Sequence, residues 1–367
     1  MARAGRGRRW SRQGDHDDAP PMLLRPATIR DLAGLQRLAR RLDTVNLPSD
    51  AVALRRMVRQ SRRAFAGEAR SRAEAVYLFV AEDRDRGRIA GASVIVAKHG
   101  TQDSPHYYLE VAEEERYSKT LDRLFHHTYL HLHRSFDGPT EVGGLIVHPG
   151  YRGHRASVGK QLSYVRFLYM GQHPTRFEPT VLAEMLPPLT PSGGSPLWEC
   201  YGRRVTGLSF READLLSRQD KEFIDALFPT APIYVRMLPE DVRDQIGTVA
   251  PASAPALHVL EKIGFRFLRQ IDPFDGGPYY GARLSEIALV RELRRRRVCV
   301  PRVGRSGTRP ATGQAPVDLL IAAEDRTGFR AVRAAVAIGP RTVWLPAPVA
   351  AALAVRDGAR VVTVPFL

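Results

Sequence analysis

Hydrophobic residues along this chain follow two rhythms. Runs of β-branched and small apolar residues at Val76–Ala81 (VYLFVA) and Ile89–Val96 (IAGASVIV), joined by the polar DRDRGR, predict a β-hairpin. A helical rhythm precedes it: Thr28-Ile-Arg-Asp31 has the form of a capping box, and Leu32, Leu35, Ala39 and Leu42 behind it share one face. The two rhythms meet between Glu141 and Met170. There a short buried strand, Val142–Val147, runs into a Pro-Gly turn and a loop rich in Arg, Gly and Lys. A helix follows, on which Val158, Leu162, Val165 and Tyr169 recur at i, i+4, i+7 and i+11 and make one apolar face.

Elsewhere the pattern predicts a helix near Thr120–His133, a strand at Thr180–Met185 and a mainly helical region over 207–250 broken by Pro229, Pro232 and Pro239. Ser253–Ile263 reads as a helix stopped by Gly264, with a strand at Phe265–Ile271 behind it. Residues 291–315 mix a basic run with Gly, Ser and Pro and are expected to be a linker. Apolar runs at Val317–Ala323, Phe329–Ile338, Thr342–Leu345 and Ala359–Pro365, with one short helix at Pro348–Val355, predict a small β-rich C-terminal unit over 316–367. The opening order β, α, β, β, β, α and this tail place the chain in the α+β (mixed α/β) class.

Composition refines the picture without changing it. With 44% hydrophobic and 26% charged residues over 367 positions, the chain has the make-up of an ordinary soluble protein of two or three domains. No apolar run approaches the roughly 18 residues a membrane span needs, and the start lacks an apolar signal core, so a cytoplasmic location is expected. Cys200 and Cys299 have neither CxxC nor zinc spacing and predict no disulfide framework. Of the net charge of +16, residues 1–21 supply +2 and residues 291–309 supply +7. The remainder is modestly basic, which suits an anionic small ligand and does not demand DNA. Residues 1–21 are expected to be a disordered basic tail, and Met22, where protein-like sequence opens, is an alternative start.

A strand that delivers a basic, glycine-containing loop onto a helix N-terminus builds an anion site, because unpaired N–H groups and the positive end of the helix dipole converge there. The expected anion is a pyrophosphate. Pro149, Tyr151, Arg152 and Gly153 follow the strand, and the helix opens at Gly159. This resembles the acyl-CoA signature of the GNAT superfamily, in which an Arg-x-x-Gly-x-Gly run holds the CoA pyrophosphate and the splayed strand before it pairs with the pantetheine amides. Arg152 and Gly159 fit the ends of that run, Arg155 stands near the place of its first glycine, and Ala156 and Ser157 look inserted. The resemblance implies a GNAT-type acyl-CoA N-acyltransferase fold over 22–290 with an insertion at about 186–250. It makes Leu145, Ile146, Val147, Arg152, Gly153, Arg155, Gly159 and Lys160 the CoA-binding candidates.

A narrower resemblance follows. Ala256–Phe265 (ALHVLEKIGF) is similar to the GNAT segment Ala-x-x-Leu-Tyr-Glu-Lys-x-Gly-Phe. LLRP at 23–26, NLPSD at 46–50, VLAEM at 181–185, SPLWECYGRR at 195–204, PIY at 232–234, SAPALHVLEKIGF at 253–265 and DPFDGGP at 272–278 resemble, in order, the arginine N-succinyltransferase family. It covers nearly the whole chain from Met22. It implies transfer of a succinyl group from succinyl-CoA to the α-amino group of arginine, in some members ornithine, at the head of an arginine-degradation route. Leu145 then stands at the family's succinyl-CoA position. One departure is sharp: the family's catalytic histidine precedes Pro-Ile-Tyr, where this chain has Ala231. Leu260 likewise stands where many GNAT enzymes have a tyrosine that protonates the departing thiolate. The general acid is therefore unassigned or dispensable, since a thiolate with a pKa near 8.5 is a tolerable leaving group.

Amide formation from a thioester needs a neutral amine, donors for the oxyanion and a route for the amine's proton. Glu184, at a strand end, is the first candidate for the base or for gripping the arginine side chain; the plain alternative is a structural carboxylate paired with an arginine. Tyr234 is a candidate proton donor or packed core. Arg203 and Arg204 are candidates for the succinyl carboxylate, or a solvated charge pair. His126, His127, His131 and His133, without an acidic companion or HExxH pattern, read as helix-face histidines, and no metal is predicted. His148, directly after the central strand, is a further candidate acid, and Trp198 is the expected anchor of its turn-rich segment. Ala231 keeps two alternatives open: a relative with another donor or amine, and a non-catalytic CoA-binding paralogue. The expected partner is a small-molecule amine, arginine or ornithine, with no nucleic acid and no membrane. Homo- or hetero-oligomers are left open.

Overall fold

The computed structural model describes residues 21–40, 47–153, 156–300 and 315–367. Strand β1 (Leu23–Pro26) leads to α1 (Leu32–Ala39) and α2 (Ala51–Phe65). Five consecutive strands follow: β2 (Val76–Asp83), β3 (Arg88–Val96), β4 (His106–Ser118), β5 (Arg123–Ser135) and β6 (Thr140–Val147). Helix α3 (Val158–Gln172) and β7 (Thr180–Glu184) come next. A largely helical stretch holds α4 (Arg203–Thr206), α5 (Phe210–Ser217), α6 (Glu222–Leu227), the short β8 (Ile233–Tyr234), α7 (Glu240–Gln245) and α8 (Ala254–Glu261). The chain then forms β9 (Arg266–Ile271), β10 (Pro278–Arg283) and α9 (Ala288–Arg291). It ends in β11 (Arg294–Cys299), β12 (Val317–Asp325), β13 (Gly328–Ile338), β14 (Thr342–Trp344), α10 (Ala347–Leu353) and β15 (Arg360–Pro365).

Among the described residues these strands join one sheet in the order β12-β15-β11-β14-β13-β1-β2-β3-β6-β7-β10-β9-β4-β5-β8. The C-terminal strands continue the main sheet through Leu24 of β1 opposite Ala331 of β13. At the entry to α1, the Arg25 guanidinium grips both Asp31 oxygens at 2.7 and 2.9 Å, and Asp31 also accepts from the Thr28 N–H at 2.7 Å. The capping box read from the sequence is thus locked onto the first strand.

Each half of the sheet is covered differently. Helices α1 and α2 share a core with Leu78, Val80, Ala92, Val94 and Ile146, while α3 packs on the opposite face with Phe79, Val142, Val181 and Ala183. The single apolar face expected of α3 understates its position. From Gln161 through Met170 every residue is buried, because Leu320, Val362, Leu260 and Leu289 close over its other sides.

Two expectations are corrected. Thr120–His133, read as a helix, is the turn and outgoing strand of the β4–β5 hairpin. The deciding period is two: Leu130 and Leu132 join the core under the helical stretch, and His131 and His133 alternate to the other face. Arg294–Cys299, expected within the linker, is strand β11, paired antiparallel to β15 and parallel to β14. Its arginines conceal it, but backbone pairing on both sides and the buried Val298 hold it in place. Residues 301–314 and the tail 1–20 lie outside the described residues.

Trp198 anchors its segment as expected. It is fully buried, stacks on Phe274 with ring centroids 4.9 Å apart, and donates its indole N–H to the Leu208 carbonyl at 2.9 Å. It opens a π-turn, Trp198–Gly202, in which only glycine fits the last place, since a Cβ on Gly202 would lie 2.3 Å from the indole. Trp198→Ala is expected to cost about 3–5 kcal/mol of stability in urea denaturation. A loss below about 1 kcal/mol would show that the stack carries little of the packing.

Candidate active site

Strands β6 and β7 run parallel but pair only where they begin, Thr140 with Val181 and Glu141 with Leu182. Beyond that point β7 follows β10 and β6 follows β3, so the two strands part into a V. An irregularity in the β3–β6 register coincides with Gly144 at φ +55°, a left-handed conformation that glycine adopts without a Cβ penalty. Leu145, Ile146 and Val147 lie beyond this bulge. Among the described residues no strand pairs with their V-facing edge, so the edge is open to an extended ligand that hydrogen-bonds as a strand would. The Val147 carbonyl there accepts from Arg152 Nε at 3.3 Å.

The loop from β6 to α3 is tied down at its start and open at its middle. Tyr151 is buried, donates to the Asp83 carboxylate and accepts from Arg88 Nε at 2.9 Å. His148 does not aim at the V as a candidate acid should; its Nδ1 accepts from the Gly150 N–H at 3.1 Å and fixes the turn. Arg152 and Gly153 are exposed, and Arg155 lies outside the described residues. Gly159 sits in the first turn of α3, where a Cβ would lie 3.4 Å from Val147 Cγ2, an ordinary contact distance that brings helix and strand together without requiring glycine. Lys160 is packed on aromatic rings, its ammonium 4.8 Å from the Phe366 centroid and 5.5 Å from that of Tyr164, and burial lowers its pKa.

At the far side of the V, β7 ends on Glu184, opposite Tyr279 of β10. Carboxylate oxygens of Glu184, Asp272 and Asp275 lie within 4.8 Å of one another. Asp272 accepts from the Phe274 N–H at 2.7 Å, the Asp275 N–H at 3.1 Å and the Tyr279 hydroxyl at 3.0 Å, while Asp275 accepts from the Gly277 N–H at 2.7 Å. Glu184 is paired with no arginine among the described residues, so the plain alternative of a structural ion pair is not what the fold builds. Its side chain keeps exposed surface yet is ringed by protein. Burial pushes its carboxyl well above the usual range, and Asp272, Asp275 and Glu141 push it further. Burial also raises Asp275 well above its ordinary value, with Asp272 adding to it. Beside this recess Glu141 accepts from His99 Nδ1 at 2.7 Å, and His106 is buried neutral, its pKa pushed down to about 3 by burial.

Other candidates fall elsewhere. Tyr234 donates its hydroxyl to Glu114 on the hairpin. Arg203 pairs with Glu199 at 3.0 Å, and it and Arg204 are exposed on α4. Ala231 is exposed just before β8, and His131 Nε2 donates to the carbonyl of its neighbour Thr230 at 3.1 Å. His131 and His133 do have an acidic companion, Glu110 across the hairpin, within 4.8 Å. A helical reading could not bring β4 beside them. Asp272 and Asp275 both lie in the DPFDGGP run, and its turn packs the two carboxylates beside the end of β7, a placement that the sequence motif alone does not state.

A mixed sheet that parts between two parallel strands, with a buried helix starting at the open end and a carboxylate recess beyond, defines a GNAT-type acyl-CoA N-acyltransferase fold. The family model described as "Arginine N-succinyltransferase beta subunit" matches residues 22–289, and the model for the C-terminal domain of that subunit matches 305–365. The chain belongs to the arginine N-succinyltransferase family. It is 35% identical to the arginine N-succinyltransferase of Citrobacter koseri over 85% of this chain and 88% of that one. It is 33% identical to that of Shigella boydii over 93% and 96% of the two chains. Among solved structures it is similar to arginine/ornithine succinyltransferase subunit AI from Pseudomonas aeruginosa. That match has a TM-score of 0.80 and 29% identity, and covers 95% of this chain and 99% of the other. Among the described residues no helix is long and apolar enough to cross a membrane.

Proposed function

We propose that this chain is an N-acyltransferase that moves a succinyl group from succinyl-CoA to the α-amino group of arginine or ornithine. The observation that carries the reading is the parted pair β6 and β7: an unpaired strand edge runs from the start of α3 towards a recess of clustered carboxylates. The CoA pyrophosphate sits at the α3 N-terminus with Arg152, Gly153 and Gly159, and Arg155 belongs to the same loop. The pantetheine lies along Leu145, Ile146 and Val147, where strand-like hydrogen bonds fix its direction. Lys160, packed on Phe366, contributes positive potential near the phosphates.

Glu184 takes the proton of the α-ammonium; burial and the neighbouring carboxylates raise its carboxyl well above its ordinary value, the direction that strengthens a base. Asp272, whose carboxylate accepts three hydrogen bonds, holds negative potential beside it, which favours a cationic amino acid over a neutral one. Tyr234, bonded to Glu114, and the exposed Arg203 and Arg204 hold the hairpin and helical stretch in shape. Positioning amine against thioester supplies the larger share of the rate, so the reaction proceeds without a histidine at position 231. The helical stretch over about 186–250 forms one wall of the amine site. The enzyme works in the cytoplasm.

Purified protein given succinyl-CoA and arginine or ornithine is expected to release free thiol in proportion to acylated amine. Absence of turnover with every cationic amino acid, while CoA still binds, would replace this reading by that of a CoA-binding paralogue.

A further inference from the structure

Arg166 is a guanidinium in the interior of α3 with only 2% of its surface exposed. Its Nε donates to the Ser163 carbonyl at 3.3 Å, Nη2 to Ser163 Oγ at 3.1 Å, and Nη1 to the Gly143 carbonyl at 3.5 Å. All three acceptors are neutral. Burial alone moves its pKa, down to about 9, and among the described residues no carboxylate lies close enough to restore it. A cation taken out of water without a counter-ion is a costly arrangement, and an anion brought beside it would relieve that cost.

Its place in the V says which anion. Gly143 is the residue before the bulge at Gly144, at the point where β6 leaves β7. Arg166 is eight residues below the start of α3 at Val158, about 12 Å along the helix axis. A thioester whose phosphates sit at that start and whose pantetheine follows Val147 back to Leu145 brings its acyl group to Gly143 and Gly144. We infer that Arg166 is the subsite for the free carboxylate of a dicarboxylic acyl-CoA, and that it selects such donors over neutral acyl groups of the same length. This rests on the acyltransfer reading above. Val142, Val181 and Ala183 face α3, so by strand alternation Glu141 and Glu184 face away from it. The carboxylate of the donor and the cation of the acceptor are thereby drawn to opposite sides of the sheet, with the reacting carbonyl between them. Of the two exposed arginines on α4, the sequence's candidates for this task, Arg203 pairs with Glu199 instead.

The test compares kcat/KM for succinyl-CoA and butyryl-CoA, with arginine as acceptor, in the native protein, Arg166→Gln and Arg166→Lys. The native protein is expected to prefer succinyl-CoA, and Arg166→Gln to lose about 100-fold with that donor while changing less than about 3-fold with butyryl-CoA. Arg166→Lys should keep part of the preference, since it retains charge without the fork. Calorimetric binding of succinyl-CoA against free CoA reads the same preference without turnover, and covers a variant that folds but does not react. Equal losses with both donors, or a native protein that binds both alike, overturn the inference while leaving acyl transfer standing. Turnover of neither donor together with equal binding overturns both.

Discussion

Glutamine in place of Glu184 will lower kcat/KM for arginine about 100-fold, the share a positioned general base supplies, and will raise the melting temperature at neutral pH. Both effects come from one arrangement. Glu184 is held near Asp272 and Asp275 with no ion pair among the described residues, and burial with like charge drives its carboxyl pKa upward, outweighing the opposing pull of Lys221. A carboxyl with a raised folded-state pKa binds its proton more tightly in the native than in the unfolded chain. Native stability therefore declines as pH rises from the unfolded value, about 4.3, through the folded one. At neutral pH an uncharged amide in that place removes the cost. Activity runs the other way: the unprotonated carboxylate is the working base, so kcat/KM should rise with pH through the same raised value, and that limb should be absent in Glu184→Gln. A variant that loses activity and stability together would mark Glu184 as a structural group.

How much of this was legible in the sequence depends on which force fixed each element. The β2–β3 hairpin, β6, α3, α8 and the C-terminal strands carry their apolar periodicity openly, and their bounds shift by only a few residues. Helix α2 and strands β4 and β11 do not. Their exposed positions hold Arg55, Arg56, Arg59, Glu113, Glu115, Arg294, Arg295 and Arg297, and such charge reads as solvated loop until partner strands or a core are known. The same limit governed the site. Leu145 and Glu184 stand out as candidates in the chain because motif and strand end coincide there. Asp272, Asp275 and Arg166 do not, because their meaning is spatial: two carboxylates brought beside a third, and a cation buried with no carboxylate near it among the described residues.

Gly144→Val should separate the fold from the site most cleanly. Gly144 has φ +55°, where an L-residue costs about 1–2 kcal/mol and a β-branched one more. The chain can escape that strain by giving up the bulge. Doing so shifts the register by one residue and turns the side chains of Leu145–Val147 to the opposite faces. Pantetheine would then meet the wrong row of main-chain groups, and a misplacement of about 1 Å at the thioester costs about 100-fold in rate. The expected result is a folded protein, slightly less stable in urea, with KM for succinyl-CoA raised and kcat lowered. Gly87→Ala is the matched control: Gly87 has φ +58° in the β2–β3 turn, with no atom within 4 Å of where its Cβ would go. It should lose comparable stability with native kinetics. If both variants lose activity in step with stability, or if Gly144→Val keeps native kinetics, the bulge is only a feature of the sheet and the acyl group is held somewhere other than the parting of β6 and β7.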